Sequence, residues 1–170
     1  MKKLIVSITL ILVSFMVSAQ NSAVDQLFAK YADKDGFTAV SISKGMFNLF
    51  AGENESKDEF SKAVKGLESI RILTPDETLQ KGNLNFYKEI SKNLPMAQYE
   101  ELMSVKEKDQ VFKMLIRKKG NVITEFIMIG GGKDNVLICI TGIINLKSIS
   151  KLSKAMDIEG MENIDKIDKN

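Results

Sequence analysis

The sequence predicts an α+β domain: a mostly antiparallel sheet of about five strands, closed by a C-terminal three-strand meander, with helices covering one face. Three observations lead there. Apolar residues recur at helical spacing mainly in the first two thirds of the chain. Residues 110–118, 122–129 and 135–143 then form three β-rich runs. Their connections, Lys119-Gly120-Asn121 and the Gly130 to Asp134 stretch, have hairpin lengths and turn residues. The third run carries Leu137-Ile138-Cys139-Ile140, apolar on both faces, as a central strand requires. Such segregation of helices and strands is the α+β pattern, and 170 residues suffice for one domain with a substantial core.

The elements follow in order. Asn21 or Ser22 can cap a first helix, with Asp25 at its N-terminus and Val24, Leu27, Phe28 and Tyr31 on one face. Asp35-Gly36 ends that region, and 37–43 alternates as a strand. Met46, Phe47, Leu49 and Phe50 suggest a short helix. A polar loop and a second helix, with Phe60, Ala63, Val64 and Leu67, should follow. Residues 69–73 read as a strand. Thr74-Pro75-Asp76-Glu77 reads as a capping box with Pro at the first helical position, opening a helix that runs with interruption at Gly82-Asn83 to Pro95. A further short helix is expected over 96–105. Asn145 should cap a helix carrying Leu146, Ile149, Leu152 and Met156. The charged tail from Asp157 has Ile158, Met161, Ile164 and Ile167 every third residue, compatible with a weak docking helix.

The N-terminus suggests export. Lys2 and Lys3 precede a 14-residue run, 4–17, broken only by Ser7, Thr9 and Ser14. Small residues at Ala19 and two positions before it fit a cleavage site between Ala19 and Gln20. As a helix the run reaches about 21 Å, short of the roughly 30 Å hydrocarbon core, so a cleaved signal is preferred to a membrane anchor. The expected organisation is a signal peptide at 1–19, one domain at 20–156 and a tail at 157–170. The location is then the periplasm or an outer-membrane-associated space. Taking Lys2 and Lys3 from 24 basic residues leaves 22, equal to the 22 acids. A neutral chain has no field for nucleic acid or anionic membrane. With no His, imidazole chemistry is excluded, and one Cys excludes an internal disulfide and a multi-thiolate metal site.

From Tyr99-Glu100-Glu101-Leu102-Met103, through the charged turn at Lys106 to Asp109 and the meander, to Ile140-Thr141-Gly142-Ile143-Ile144-Asn145-Leu146, the chain resembles a known family. With the leader ending Ser18-Ala19-Gln20, it is similar to exported proteins of the domain of unknown function family DUF4252, found in Bacteroidota. The resemblance covers about 22–156. It implies a small exported α/β domain and no known activity or catalytic residue. The acid usual near the start of the last helix is Asn145 here, which keeps a cap.

No motif carries chemistry on its own. Gly130-Gly131-Gly132-Lys133 precedes a strand rather than a helix and lacks the Walker spacing, so it reads as a hairpin turn. Asp33-Lys34-Asp35-Gly36 puts Gly at position four of a calcium loop that needs it at six. Glu53, Glu55, Asp58 and Glu59 read as a solvated loop. On the expected helix, Tyr99, Leu102 and Met103 would pack while Glu100 and Glu101 point outward. Cys139, amid apolar neighbours, reads as a core thiol. No catalytic, cofactor-binding or metal residue is assigned.

The expected function is a non-catalytic interaction or binding domain for an envelope protein or peptide, using an exposed sheet face or edge. The candidate surface is Met46, Phe47 and Phe50, with Arg117, Lys118 and Lys119 at a basic hairpin end. One alternative is a regulatory accessory protein of a membrane partner. Another is a carboxylate-dependent envelope hydrolase, in which Glu100 or Glu101 would converge with Glu125.

Overall fold

The computed structural model describes residues 22–51 and 64–145, with the side chains of residues 50 and 51 left aside. The leader, the acidic stretch from Glu53 to Glu59, the helix expected after Asn145 and the tail lie outside the described residues.

Six strands form one antiparallel sheet: β1 (Phe37–Ser43), β2 (Leu67–Pro75), β3 (Glu100–Lys106), β4 (Gln110–Lys119), β5 (Val122–Gly132) and β6 (Val136–Ile144), in the order β1-β2-β6-β5-β4-β3. The meander therefore has four strands, β3 to β6. Its last strand lies beside β2, so β6 is central, as its two-sided apolar run requires.

Two corrections concern Glu100–Lys106 and the faces of the sheet. The expected helix over 96–105 is a single 3₁₀ turn (Met96–Gln98) followed by the edge strand β3. A register shift between Glu101 and Met103 interrupts its two-residue alternation, which left Leu102 and Met103 looking helical. The helices do not confine the core to one face. On one face Leu27, Phe28, Phe86 and Ile90 pack over Leu73, Leu115, Ile127, Leu137 and Cys139. On the other, Phe47 and Val64 pack with Ile70, Met114, Phe126, Met128, Ile138 and Ile140.

Helix α1 (Ala23–Tyr31) forms where expected. Ser22 Oγ accepts from the Asp25 N–H and the Asp25 carboxylate accepts from the Ser22 N–H, satisfying two end donors reciprocally. Its apolar stripe of Val24, Leu27, Phe28 and Tyr31 is buried. Tyr31 stacks on Phe37 at 4.7 Å between centroids and tilts against Phe86 at 5.5 Å, tying α1 to β1 and to the segment that carries Phe86. Phe86 is fully buried, which stabilises the fold by about 2–3 kcal/mol.

Helix α2 (Lys44–Ala51) follows β1 directly, with Phe47 facing the core. β2 runs further than expected, through Thr74 and Pro75, so Thr74 caps nothing. Asp76 is the cap of α3 (Glu77–Gln80), accepting from the Leu79 N–H at 2.9 Å. Pro75 fits because β2 pairs with β6 only as far as Leu73, where the ring's missing N–H costs no ladder bond. Helix α4 (Phe86–Ile90) lies against β5. The glycine run is strand rather than turn: Gly130, Gly131 and Gly132 complete β5. A Cβ at Gly131 would meet Tyr87 Cβ and N at 2.8 Å, so the run lets α4 sit directly on the sheet.

Candidate functional site

The two edges of the sheet differ. β3 carries Glu100, Glu101 and Lys106 and is broken by its register shift, two devices that discourage pairing with a foreign strand. Glu100 pairs with Lys118 at 2.6 Å and Glu101 with Lys113. β1 has none of these protections. Its seven residues, Phe-Thr-Ala-Val-Ser-Ile-Ser, include no charge and no proline, and its register with β2 is unbroken from Phe37↔Pro75 to Ser43↔Ser69. Thr38, Ala39, Val40 and Ser41 are exposed, and among the described residues no strand lies on the outer side of β1.

Beside this edge, α2 exposes Met46 and Leu49. Of the apolar candidates, Met46 is exposed, whereas Phe47 is 4% exposed and belongs to the core, a correction to its reading as a surface residue. It packs inward because helical spacing puts it on the opposite side from Met46 and Leu49. Phe50 has no described side chain.

The basic candidates Arg117, Lys118 and Lys119 end β4, at the far side of the sheet from β1. Arg117 is held by Glu125. Alternate residues of four strands form a polar row on the α1 face: Ser69, Thr141, Glu125 and Arg117 stand opposite one another across β2, β6, β5 and β4. Ser69 and Thr141 share a hydroxyl hydrogen bond of 2.8 Å. Glu125 is 4% exposed, and its Oε2 accepts from Arg117 Nη2 at 2.6 Å and the Tyr99 hydroxyl at 2.8 Å. Cys139 Sγ donates weakly to Oε1 at 3.6 Å. Burial and then the Glu125 carboxylate drive the Tyr99 phenol far above its usual range, and the same two causes push the Cys139 thiol up to about 12. These groups stay protonated and serve as donors. Above the row lies an open cavity of about 690 Å³, bounded by Gln26, Asn93, Gln98, Tyr99 and Arg117.

The paired-carboxylate arrangement is not present at Glu125. Glu100 and Glu101 are exposed and bound to lysines, while Glu125 is buried against a guanidinium and a phenol. Among the described residues, no group of three His, Cys, Asp or Glu side chains could hold a metal ion, and no helix is long and apolar enough to cross a membrane.

A family model described as a domain of unknown function, DUF4252, matches residues 31–152. The chain belongs to this family. The match begins at the last residue of α1 and takes in every strand, so the edge β1 and the Glu125 row both lie inside the DUF4252 region. Searches of curated proteins and of solved structures return no match to the chain.

Sequence reasoning about this DUF4252 domain missed the Glu125–Arg117–Tyr99 arrangement. Each residue was visible, but the register that aligns them across strands was not. One available signal was Glu125 itself, a charge on the face shared by Ile127 and Ile129 in an otherwise apolar strand.

Proposed function

We propose that this DUF4252 domain is an exported, non-catalytic interaction module of the cell envelope that captures an extended polypeptide segment by adding it as a strand to β1. The observation that carries this reading is the asymmetry of the edges: β3 is charged and bulged, and β1 is regular, uncharged and exposed. An edge strand presents a row of backbone N–H and C=O groups that a second chain can satisfy, and soluble proteins normally blunt such an edge. Main-chain pairing supplies the affinity, and contacts with alternate side chains supply the selectivity. Exposed Met46 and Leu49 on α2 offer apolar contact for those side chains. The partner is therefore an uncharged, β-prone segment of an envelope protein. The charged and apolar pattern of residues 1–19 supports an extracytoplasmic setting.

The test is crosslinking capture from intact cells, comparing the native chain with Val40→Lys. Val40 is exposed, so the charge should leave the fold intact while opposing strand addition. A partner retained by the native chain and lost with Val40→Lys supports the reading. A partner retained equally by both refutes it.

A further inference from the structure

A second cavity lies where three connections meet at one end of the sheet. The α3–α4 link, the β3–β4 turn and the β5–β6 turn enclose about 480 Å³. Lys81 and Lys88 line it from the first side, Lys106 and Lys108 from the second, and Lys133 from the third. Glu107 and Asp109 are the acids on its wall, so positive charge is in excess. Among the described residues, none of these five lysines is in an ion pair; Lys34, Lys44, Lys65, Lys92 and Lys119 are unpaired too, but only here do five such lysines line one cavity. In a chain of near-neutral charge, this is a local concentration of uncompensated cations.

The frame beneath it is rigid. Asn135 is 1% exposed, and its side chain joins two of the three connections. Oδ1 accepts from the Phe86 N–H at 2.9 Å, while Nδ2 donates to Gly132 O at 2.8 Å and Gln80 Oε1 at 3.0 Å. The Asn135 N–H donates to Gln80 Oε1 at 2.7 Å, and Gln80 Nε2 donates to Asn135 O at 3.2 Å. Gln110 Nε2 donates to Asp134 at 2.5 Å, tying the start of β4 to the β5–β6 turn. Gly132, at φ +104°, lies where a Cβ would run into the backbone at Asp109, so the β3–β4 turn is packed against the end of β5. The lysines thus stand on or beside connections whose backbone is already held, so a bound anion has to order only their side chains.

We propose that this cavity binds a phosphate-bearing anion with at least two negative charges, its oxygens held by ammonium groups from all three connections. Lysine is a compact, multi-donor point charge suited to phosphate. Several like charges converging on one concavity focus the field that draws in such a ligand. The site is independent of the β1 edge and is tested separately.

The experiment titrates the purified protein with inorganic pyrophosphate by calorimetry at low and high salt. It also measures co-sedimentation with phosphatidylcholine vesicles, with and without phosphatidic acid. The variants are Lys108→Glu/Lys133→Glu and the milder Lys108→Gln/Lys133→Gln, all at exposed positions, with Val40→Lys as a control. The expected result is saturable pyrophosphate binding, weakened about tenfold or more by charge reversal, weakened less by the Gln pair, and unchanged in Val40→Lys. Co-sedimentation that needs phosphatidic acid and is lost on charge reversal, without pyrophosphate binding, supports the same site with a lipid headgroup as the source. Binding of neither probe overturns the proposal, as does binding that charge reversal leaves unchanged.

Discussion

Replacing Asn135 with alanine tests whether the connections at the lysine-rich end are held as described. The side chain makes three hydrogen bonds, with the Phe86 N–H, Gln80 Oε1 and Gly132 O. A buried hydrogen bond contributes a net of about 0.5–1.5 kcal/mol, and a buried donor left without its acceptor costs about 1–3 kcal/mol. Asn135→Ala removes all three bonds and strips the acceptor from Phe86, whose side chain is fully buried. Gln80 keeps its bonds to the Asn135 backbone, which softens the loss. Together these give about 3 kcal/mol, a large share of the roughly 5–15 kcal/mol that a domain has. Equilibrium urea unfolding reads it directly. With a slope of about 2 kcal/mol/M, the midpoint should fall by about 1.5 M. Asn93→Ala is the control: Asn93 is exposed and its side chain donates only to Gln26 Oε1, at 2.6 Å, so the change should stay within about 0.5 kcal/mol. A loss below about 1 kcal/mol for Asn135→Ala would refute the view that this residue pins the connections together.

Two further predictions concern ionisation. Cys139 is fully buried with its thiol pushed up to about 12, so iodoacetamide at pH 8 should leave the native protein unlabelled and modify it only after denaturation; labelling of the folded protein at the rate of a free thiol would contradict this. For Asp25 and Glu89, partial burial raises the carboxyl pKa, but the hydrogen bonds and charge of Arg71 and Ser22, and of Lys30 and Tyr31, outweigh it and leave both below 3.8 and 4.5. A depressed folded-state pKa gives stability that is present above the unfolded value and lost as pH falls through the folded one. The urea midpoint should therefore drop below about pH 4, and drop less in Asp25→Asn/Glu89→Gln; equal acid sensitivity in both proteins would show that these pairs are not the cause.

Much of the fold was legible because local chemistry and tertiary structure agree. The Ser22–Asp25 box, the strand from Phe37 to Ser43 and the two-sided apolar run of β6 each carry their signal within a few residues. The errors occur where tertiary pairing overrides that signal. Glu100–Lys106 contains helix-forming residues and an irregular alternation, and it becomes a strand only because β4 offers an edge. Thr74-Pro75 has the form of a helix start, yet β1 extends β2 past it. Gly130, Gly131 and Gly132 look like a turn because their role, close approach of α4 and the β3–β4 turn, involves residues far away in sequence. The functional surfaces follow the same rule. That an edge exists could be inferred, but which strand lies bare, which lysines converge and which arginine meets Glu125 depend on strand order and register.

The most direct test of the central claim is amide hydrogen exchange, read residue by residue by NMR, in the free protein and with a peptide selected from a random display library against the purified chain. The account predicts that the amides of β2, β5 and β6 are protected throughout. Alternate amides of β1, those facing away from β2, should exchange quickly in the free protein and slow about tenfold or more in the complex, an effect absent in Val40→Lys. Selected peptides that bind tightly while leaving every β1 amide unchanged, or outward β1 amides already as slow as those of β5 in the free protein, would contradict it.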